Sequence, residues 1–150
     1  MLERDIGLSH SERPILLVED NPMDVDLTRR AFSRRQVNHS IEVARDGEEA
    51  LAFMSEWGEK RPIPLLILLD LKLPKVDGLE VLRHLKTHPV FNVIPVVVLS
   101  TSTEDRDIQI AYREGANSFI VKPVDFDQFI QIVDHIQIYW CMLNTPPPNP

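Results

Sequence analysis

The 150-residue sequence contains a single cysteine, Cys141, and no apolar run that approaches the ~18 residues needed to span a bilayer. A single cysteine forms no internal disulfide, which suits a reducing cytoplasm. Residues 1–13 are polar and lack the apolar stretch of a secretory signal. Lysine and arginine form no basic cluster and the formal net charge is −7, which argues against direct binding of nucleic acid. We therefore expect a cytoplasmic protein that binds neither membrane nor nucleic acid.

The sequence also has no internal repeat, and no glycine-rich phosphate loop follows its first strand-like run. A hydrophobic content of 43% and a charged content of 26% are ordinary for a soluble globular protein. At this length we expect one domain with a real core. We place it at 13–143, between a flexible N-terminus, 1–12, and a flexible proline-rich tail, 144–150.

Apolar runs alternate with segments of helical spacing along the chain. The strand-like runs lie near 14–18, 39–44, 64–69, 95–99 and 118–121. The helical segments lie near 22–36, 47–57, 78–88, 104–114 and from 125 onward. Five strands alternating with five helices predict an α/β fold, in which right-handed crossovers favour a doubly wound parallel sheet.

Capping and turn residues mark the ends of the predicted helices. Pro22 suits the first position of the first helix, and Gly115 suits a left-handed residue that ends the fourth helix. Asn21 is the candidate N-cap of the first helix, and one of Ser102, Thr103 or Asp105 could cap the fourth. Asp46-Gly47 and Asp77-Gly78 are typical of turns that lead into the second and third helices.

Acidic residues and a lysine follow three of the predicted strands. Asp70 ends the uninterrupted apolar run 64–69, Glu19 and Asp20 follow the first run, and Lys122 follows the last. In a parallel sheet whose first and third strands are neighbours, the carboxyl ends of those strands meet at the edge where ligands bind. Mg²⁺ prefers hard oxygen ligands, and a lysine ammonium suits a phosphate oxygen. The pattern therefore predicts a magnesium and phosphoryl site.

Hydroxyl residues and a proline adjoin this predicted site. Ser100, Thr101 and Ser102 close the fourth strand, where their hydroxyls either bond a phosphoryl oxygen or cap the next helix. Ser100 is the stronger functional candidate because it is the first polar residue after the strand. Pro123 could set the loop after Lys122 through a cis peptide bond, although trans is commoner even before proline.

Taken jointly, these motifs resemble the receiver domain of two-component response regulators. The segments that carry the resemblance are 18–22 (VEDNP), 69–78 (LDLKLPKVDG), 98–100 (VLS) and 121–123 (VKP). The resemblance covers roughly residues 14–143. It implies a flavodoxin-like (βα)5 fold with strand order 2-1-3-4-5.

The resemblance also implies a role for each site residue. Asp70 is the phosphoacceptor, and Lys122 contacts the phosphoryl group. Asp20, Asp70 and the Lys72 carbonyl are the protein ligands of Mg²⁺, for which Mn²⁺ can substitute. Glu19 reaches the metal largely through water.

A switch between two states is a further implication of the resemblance. The hydroxyl of Ser100 moves to bond the phosphoryl group, and the aromatic ring of Phe119 turns inward behind it. This sequence has serine where threonine is usual and phenylalanine where tyrosine is frequent. Lys72 and Ser102 flank the approach of hydrolytic water, so we expect them to tune the phosphoryl lifetime.

Within the family, the sequence is similar to the single-domain regulators that are paired with cyanobacterial phytochrome histidine kinases. The features that suggest this subgroup are 95–102 (PVVVLSTS), the Leu-Pro-Lys of 73–75 and the aromatic segment 138–140 (IYW). The chain stops at Pro150 without a DNA-binding or catalytic output domain, so we expect output through protein contacts.

The last helix carries more apolar surface than packing on one sheet requires. One predicted stripe, which covers the sheet, contains Phe126, Phe129, Ile130, Val133 and Trp140. A second stripe contains Ile132, Ile136, Tyr139 and Leu143. An apolar surplus on a surface helix predicts a protein interface, here a homodimer that also uses the fourth helix and fifth strand. The alternative is that the C-terminal tail folds back over the second stripe.

Three other functions remain open from the sequence. A haloacid-dehalogenase-type phosphatase also uses a strand-end aspartate, but it needs a second aspartate where Lys72 stands. A flavin-binding flavodoxin shares the fold, and the acids at the switch point disfavour a bare flavin phosphate. A receiver that acts as a phosphate sink or as a phosphorylation-independent interaction module keeps the same fold.

Overall fold

The computed structural model describes residues 13–35 and 39–150, and the predicted N-terminal segment 1–12 lies outside the described residues. The five strands are β1 (Ile15–Val18), β2 (Ile41–Ala44), β3 (Leu66–Leu69), β4 (Val96–Ser100) and β5 (Ser118–Val121). The five α-helices are α1 (Pro22–Ser33), α2 (Gly47–Glu56), α3 (Gly78–Thr87), α4 (Asp105–Arg113) and α5 (Phe126–Gln137). A short 3₁₀ turn (Phe91–Val93) precedes β4, and wider π-helical turns (Ile138–Leu143) extend α5.

The strands form one parallel sheet in the order β2-β1-β3-β4-β5. This order confirms the predicted flavodoxin-like (βα)5 fold. β1 and β3 are direct neighbours, with Val18 paired to Leu69 at their carboxyl ends. The residues that follow these two strands therefore lie side by side at one edge of the sheet.

The core has two layers, one on each face of the sheet. Because side chains alternate along a strand, Leu16 and Val18 face one layer while Ile15 and Leu17 face the other. Helices α2, α3 and α4 cover the first face, and α1 and α5 cover the second. All four residues of β3 are buried, which explains why its sequence shows no alternation.

The predicted cap of α1 is confirmed, and the two predicted turns supply the caps of α2 and α3. Asn21, Asp46 and Asp77 each accept a hydrogen bond from a backbone N–H in the first turn of α1, α2 and α3 respectively. Gly115 follows α4 with a positive φ of 104°. The prediction for the start of α4 is wrong, because Glu104 occupies the cap position without a side-chain cap bond.

Close backbone contacts fix the loop after β3. A Cβ atom at Gly78 would lie 2.3 Å from the carbonyl oxygen of Asp70, and one at Gly47 would lie 1.9 Å from that of Val76. Any larger residue at either position would push the loop away from the end of β3. Lys75, in the same loop, adopts a left-handed φ of 68°, which costs energy for a residue with a Cβ.

Helix α5 differs from the prediction at two positions. Phe126, the first residue of the helix, is 55% exposed and belongs to neither core layer. Ile136, assigned to an exposed stripe, is buried in the second core layer. It lies three residues after Val133 and seven after Phe129, which places it on the buried face of the helix.

Candidate functional site

Lys122 lies at the centre of a cluster of carboxylates at the carboxyl edge of the sheet. Its Nζ donates hydrogen bonds to Glu19 Oε1 at 2.6 Å, Asp24 Oδ2 at 2.8 Å and Asp70 Oδ2 at 3.2 Å. The backbone N–H of Lys122 donates to the Ser100 carbonyl at the end of β4. Because β4 separates β5 from β3, the long lysine side chain crosses the end of β4 to reach Asp70.

Three carboxylates on neighbouring strands could hold a metal ion. One oxygen from each of Glu19, Asp20 and Asp70 lies within 4.8 Å of the others. Glu19 and Asp70 are buried, while Asp20 is exposed to solvent. The second Glu19 oxygen accepts from the N–H of Asn21, which orients the carboxylate.

The cluster carries more negative than positive charge. Burial raises the pKa of Glu19 to about 7; hydrogen bonding and attraction from Lys122 oppose this effect, and the Asp70 charge adds to it. Burial alone would lower the pKa of Lys122, but the hydrogen bonds to Asp24 and Glu19, together with the charges of Glu19 and Asp70, outweigh it and raise that pKa. Four carboxylates, those of Glu19, Asp20, Asp24 and Asp70, therefore face one ammonium group, and a divalent cation would relieve their repulsion.

The donor set fits Mg²⁺. The ligand atoms are carboxylate oxygens without histidine or cysteine, and the exposed position of Asp20 leaves room for the waters that Mg²⁺ retains. The predicted ligand Lys72 is beside the cluster, with its N–H donating to Asp70 Oδ1 at 3.3 Å. Both oxygens of Asp70 are therefore held in place, Oδ1 by this backbone group and Oδ2 by Lys122.

The three hydroxyl residues after β4 occupy different environments. Ser100 is fully buried, and its Oγ accepts from the N–H of Ser102 at 3.2 Å. The Ser102 hydroxyl donates to Asp107 Oδ2 at 2.6 Å and accepts from the N–H of Glu104. Thr101 is exposed. The Ser102 hydroxyl therefore connects the loop to Asp107 in the first turn of α4, although the cap residue of the helix is Glu104.

The predicted switch residue Phe119 lies on edge strand β5. Its ring is half-buried against the first core layer, and its N–H donates to the Tyr112 hydroxyl at 3.2 Å. Residues 13–35 and 39–150 contain no cis peptide bond, so the bond between Lys122 and Pro123 is trans. The cis form that the sequence allowed is not adopted.

The sequence did not identify Asp24 or Tyr112 as site residues. Asp24 has an ordinary explanation as an acid in the first turn of α1, and its contact with Lys122 appears only when α1 packs beside the strand ends. Tyr112 carries no local motif. Both contacts depend on tertiary packing, for which the sequence contains no short-range signal.

The predicted dimer residues divide into buried and exposed groups. Tyr139 is 51% and Leu143 70% exposed, whereas Ile132 is partly buried against the core. Ile136 is buried and contributes little outer surface. A groove of about 450 Å³ runs between β5 and the last helix, lined by Asn117, Ser118, Ile120, Ile132, His135, Ile136, Tyr139 and Trp140.

The tail after the last helix, residues 144–150, has no regular secondary structure, and Pro146 and Pro147 are half-buried. Among the residues described, no helix has the length and apolar character required to cross a bilayer.

Comparison with known proteins gives consistent matches. The family model of the response regulator receiver domain matches residues 15–134. Response regulator Rcp1 of Synechocystis sp. is 38% identical over 141 residues, covering 93% of this chain and 96% of Rcp1. The "Probable methanogenesis regulatory protein FilR2" of Methanothrix harundinacea is 45% identical over 134 residues, covering 89% of this chain and 86% of FilR2.

Solved structures show the same similarity. The phosphorylated cyanobacterial phytochrome response regulator RcpA is 43% identical with a TM-score of 0.85, and the match covers 91% of this chain and 99% of RcpA. The Mn²⁺-bound form of Rcp1 is 38% identical with a TM-score of 0.85, covering 90% of this chain and 99% of Rcp1.

Proposed function

This chain belongs to the response regulator receiver family, and from that premise we propose that Asp70 accepts a phosphoryl group from the phosphohistidine of a sensor kinase. The observation that carries the proposal is the position of Asp70, whose Oδ2 lies 3.2 Å from Lys122 Nζ beside Glu19 and Asp20. The protein then acts in the cytoplasm, where ATP-dependent kinases form phosphohistidine.

The reaction is a transfer between two nucleophiles. A carboxylate oxygen of Asp70 attacks phosphorus, the P–N bond to the kinase imidazole breaks, and its electron pair returns to the imidazole nitrogen. The product is an acyl phosphate on Asp70. Lys122 holds its positive charge beside Asp70 and offsets charge on the phosphoryl oxygens.

Glu19, Asp20 and Asp70, together with the Lys72 carbonyl, would hold Mg²⁺ or Mn²⁺. The ion would neutralise the carboxylates and the incoming phosphoryl oxygens, so that the two negative groups can approach each other. Lys72 and Ser102 lie two residues after Asp70 and Ser100 in sequence, and we expect their side chains to tune the lifetime of the acyl phosphate. The Thr101 hydroxyl, next to Ser100, is a further candidate to bond a phosphoryl oxygen. Self-dephosphorylation would occur at the same site, when water hydrolyses the acyl phosphate and restores the Asp70 carboxylate.

The proposed acceptor chemistry can be tested by incubating the protein with Mg²⁺ and a small phosphodonor such as acetyl phosphate. We expect one phosphate adduct in the intact mass of the wild type, and none in Asp70→Asn or in EDTA. Asp26→Asn, which removes an exposed α1 carboxylate paired with Arg30, is the matched control and should phosphorylate normally. A wild type without an adduct would favour the phosphorylation-independent interaction module.

The kinase partner is proposed to be a phytochrome. The similarity to RcpA, a phytochrome response regulator, supports this pairing, while the similarity to FilR2 supports a kinase with another input. The two can be separated by mixing the protein with equal amounts of phosphorylated phytochrome-type and unrelated histidine kinases. Preferential transfer from the phytochrome kinase supports the pairing, and equal or reversed preference contradicts it.

Output is proposed to pass through protein contacts, with a second copy of the chain as one partner. Tyr139, which lines the groove between β5 and α5, and Leu143 both expose apolar surface, which supports a homodimer through the last helix. Half-buried Pro146 and Pro147 support the competing view that the tail covers part of this helix. A phosphate sink for the kinase remains the alternative to a signalling output.

A further inference from the structure

A chain of hydrogen bonds connects the predicted switch residue Ser100 to helix α4. Ser100 Oγ accepts from the N–H of Ser102, and the Ser102 hydroxyl donates to Asp107 Oδ2. The Ser102 oxygen also accepts from the N–H of Glu104, the residue before α4. The chain therefore begins at a fully buried hydroxyl and ends on a charged side chain in the first turn of a helix.

The bond between Ser102 and Asp107 is the strongest link of this chain. Its O···O distance is 2.6 Å, and a hydroxyl bonded to a carboxylate is roughly twice as strong as a neutral pair. Ser102 is buried, so water competes poorly for its hydroxyl. The position of the loop between β4 and α4 thus depends on where Asp107 lies.

Helix α4 is attached to the protein by few apolar contacts. Ala111 is its one buried residue. At the opposite end, the Tyr112 hydroxyl accepts from the N–H of Phe119, the second predicted switch residue. Two polar contacts, one near each end of α4, therefore connect the helix to the two switch positions. A weakly packed element held by a few polar contacts can shift when one of them breaks.

We propose that Asp107 is a positioning residue that, through Ser102, holds the Ser100 hydroxyl in its unphosphorylated position. This inference rests on the proposed phosphoacceptor role of Asp70. A phosphoryl group on Asp70 attracts the Ser100 hydroxyl as a donor, and because Ser100 Oγ accepts from the Ser102 N–H, we expect its shift to displace Ser102 as well. That movement breaks or lengthens the Ser102–Asp107 bond, so Asp107 sets the balance between the two states.

The test measures equilibrium binding of beryllofluoride, a phosphoryl mimic, to the full chain in the presence of Mg²⁺. A ligand selective for a minor state binds more tightly when the competing state loses a stabilising contact. Loss of a hydrogen bond to a charged group predicts that Asp107→Ala binds about tenfold more tightly than the wild type. Asp105→Ala removes an exposed acid from the same helical turn and should remain within about twofold, because surface charges act weakly.

Two further variants separate positioning from general loosening. Asp107→Asn keeps an oxygen that accepts from Ser102 but loses the charge, so its beryllofluoride affinity should lie between those of the wild type and Asp107→Ala. Ser102→Ala breaks the same bond and also removes the acceptor of the Glu104 N–H, so it should bind beryllofluoride at least as tightly as Asp107→Ala. The double variant should bind no more tightly than Ser102→Ala, because the bond between the two side chains is already lost. If Asp107→Ala fails to fold, Ser102→Ala carries the same prediction.

Each outcome has one meaning. Equal affinities for the wild type, Asp107→Ala and Ser102→Ala would overturn the inference while leaving the acceptor role of Asp70 intact. Equal gains in Asp107→Ala and Asp105→Ala would also overturn it, because the effect would then be one of charge. A wild type that binds no beryllofluoride would contradict the proposed function itself, and this inference with it.

Discussion

At the residue scale, the site is defined by an imbalance of charge. Lys122 donates to three carboxylates, and Asp20 adds a fourth without contacting the ammonium group. Lys122 offsets only part of the repulsion among these like charges, so the fold must hold the carboxylates at this spacing. Removing one carboxylate should therefore affect metal binding and stability in opposite directions.

We predict that Asp20→Asn weakens Mg²⁺ binding and, in EDTA, raises the free energy of unfolding by about 1 kcal/mol, the interaction of two unit charges at 4 Å in a water-like medium. Asp20 is suited to this test because its exposure makes the amide easy to accommodate. Urea unfolding with EDTA and with Mg²⁺ measures both effects.

The matched control for this prediction is Asp26→Asn. Asp26 is an exposed α1 acid whose Oδ2 lies 3.0 Å from Arg30 Nη2, away from the cluster. Its loss should leave Mg²⁺ binding unchanged and give no gain in stability. A loss of stability in metal-free Asp20→Asn would contradict the repulsion on which this account of the site depends.

The sequence predicted the acidic strand ends and the lysine because each follows an apolar run. Glu19, Asp20, Asp70 and Lys122 could be placed together once the sheet was known to be parallel. Asp24 could not, since one acid in a first helical turn is explained equally well by the helix dipole. The hydrogen bonds that connect Ser100 to Asp107 through Ser102 could not be predicted either, because a serine before a helix is equally typical of a helix cap.

At the element scale, α1 and α5 pack together on one face of the sheet and are joined at the surface. Arg35, just after α1, forms two hydrogen bonds with the carboxylate of Asp134 in α5, with Nη2 3.0 Å from Oδ2. The paired arginine lowers the pKa of Asp134. The same two helices contribute the buried apolar side chains that cover this face of the sheet.

This ion pair predicts a pH-dependent contribution to stability. Because the pKa of Asp134 is lower in the folded state, its contribution is fully present above the unfolded value of about 3.9 and is lost as pH falls through the folded value. We expect Asp134→Asn to destabilise the protein at pH 7, with a difference from wild type that shrinks below about pH 4. Urea unfolding of both proteins at each pH measures the difference.

Effects of other carboxylates cancel in this comparison because both proteins contain them. Asp26→Asn provides a second baseline for an exposed helical acid. A destabilisation by Asp134→Asn that persists unchanged into acid would show that the carboxylate charge is not its cause.

In the last helix, the spacing of apolar residues predicts the presence of the helix better than it predicts which of its residues are exposed. The pattern located the helix and its buried residues Phe129, Ile130 and Val133 correctly. It failed at Phe126, because a helical wheel takes no account of where the helix starts, and at Ile136, whose spacing from Phe129 and Val133 places it on the buried face rather than in the outer stripe. Which residues of the last helix are exposed is decided by how the helix packs on the sheet.

At the scale of the whole molecule, the alternating pattern was sufficient to predict the α/β fold and its single parallel sheet. The strand order required the family resemblance, since crossover handedness alone leaves several orders possible. Association between copies of the chain is harder to predict from the sequence than the strand order. The sequence marked an apolar surplus on the last helix, but the structure was needed to show that Tyr139 and Leu143 are its exposed part.

We predict that Tyr139→Glu combined with Leu143→Glu converts a homodimer into a monomer at low micromolar concentration, because two charges would be buried in the proposed interface. Sedimentation velocity measures the change. Met23→Glu places the same charge on an exposed apolar residue of α1 and should leave the dimer intact. A dimer that persists in the double variant would remove the last helix from the interface.

The central claim is that the acyl phosphate forms on Asp70, and the most direct measurement locates it in the chain. The Mg²⁺-loaded protein would be phosphorylated by a small phosphodonor, reduced with borohydride, digested and sequenced by mass spectrometry. Reduction converts an aspartyl phosphate to homoserine, so we predict homoserine at position 70 and none at Asp20 or Asp24. Homoserine at another aspartate, or a phosphate adduct that leaves Asp70 unreduced, would contradict the account.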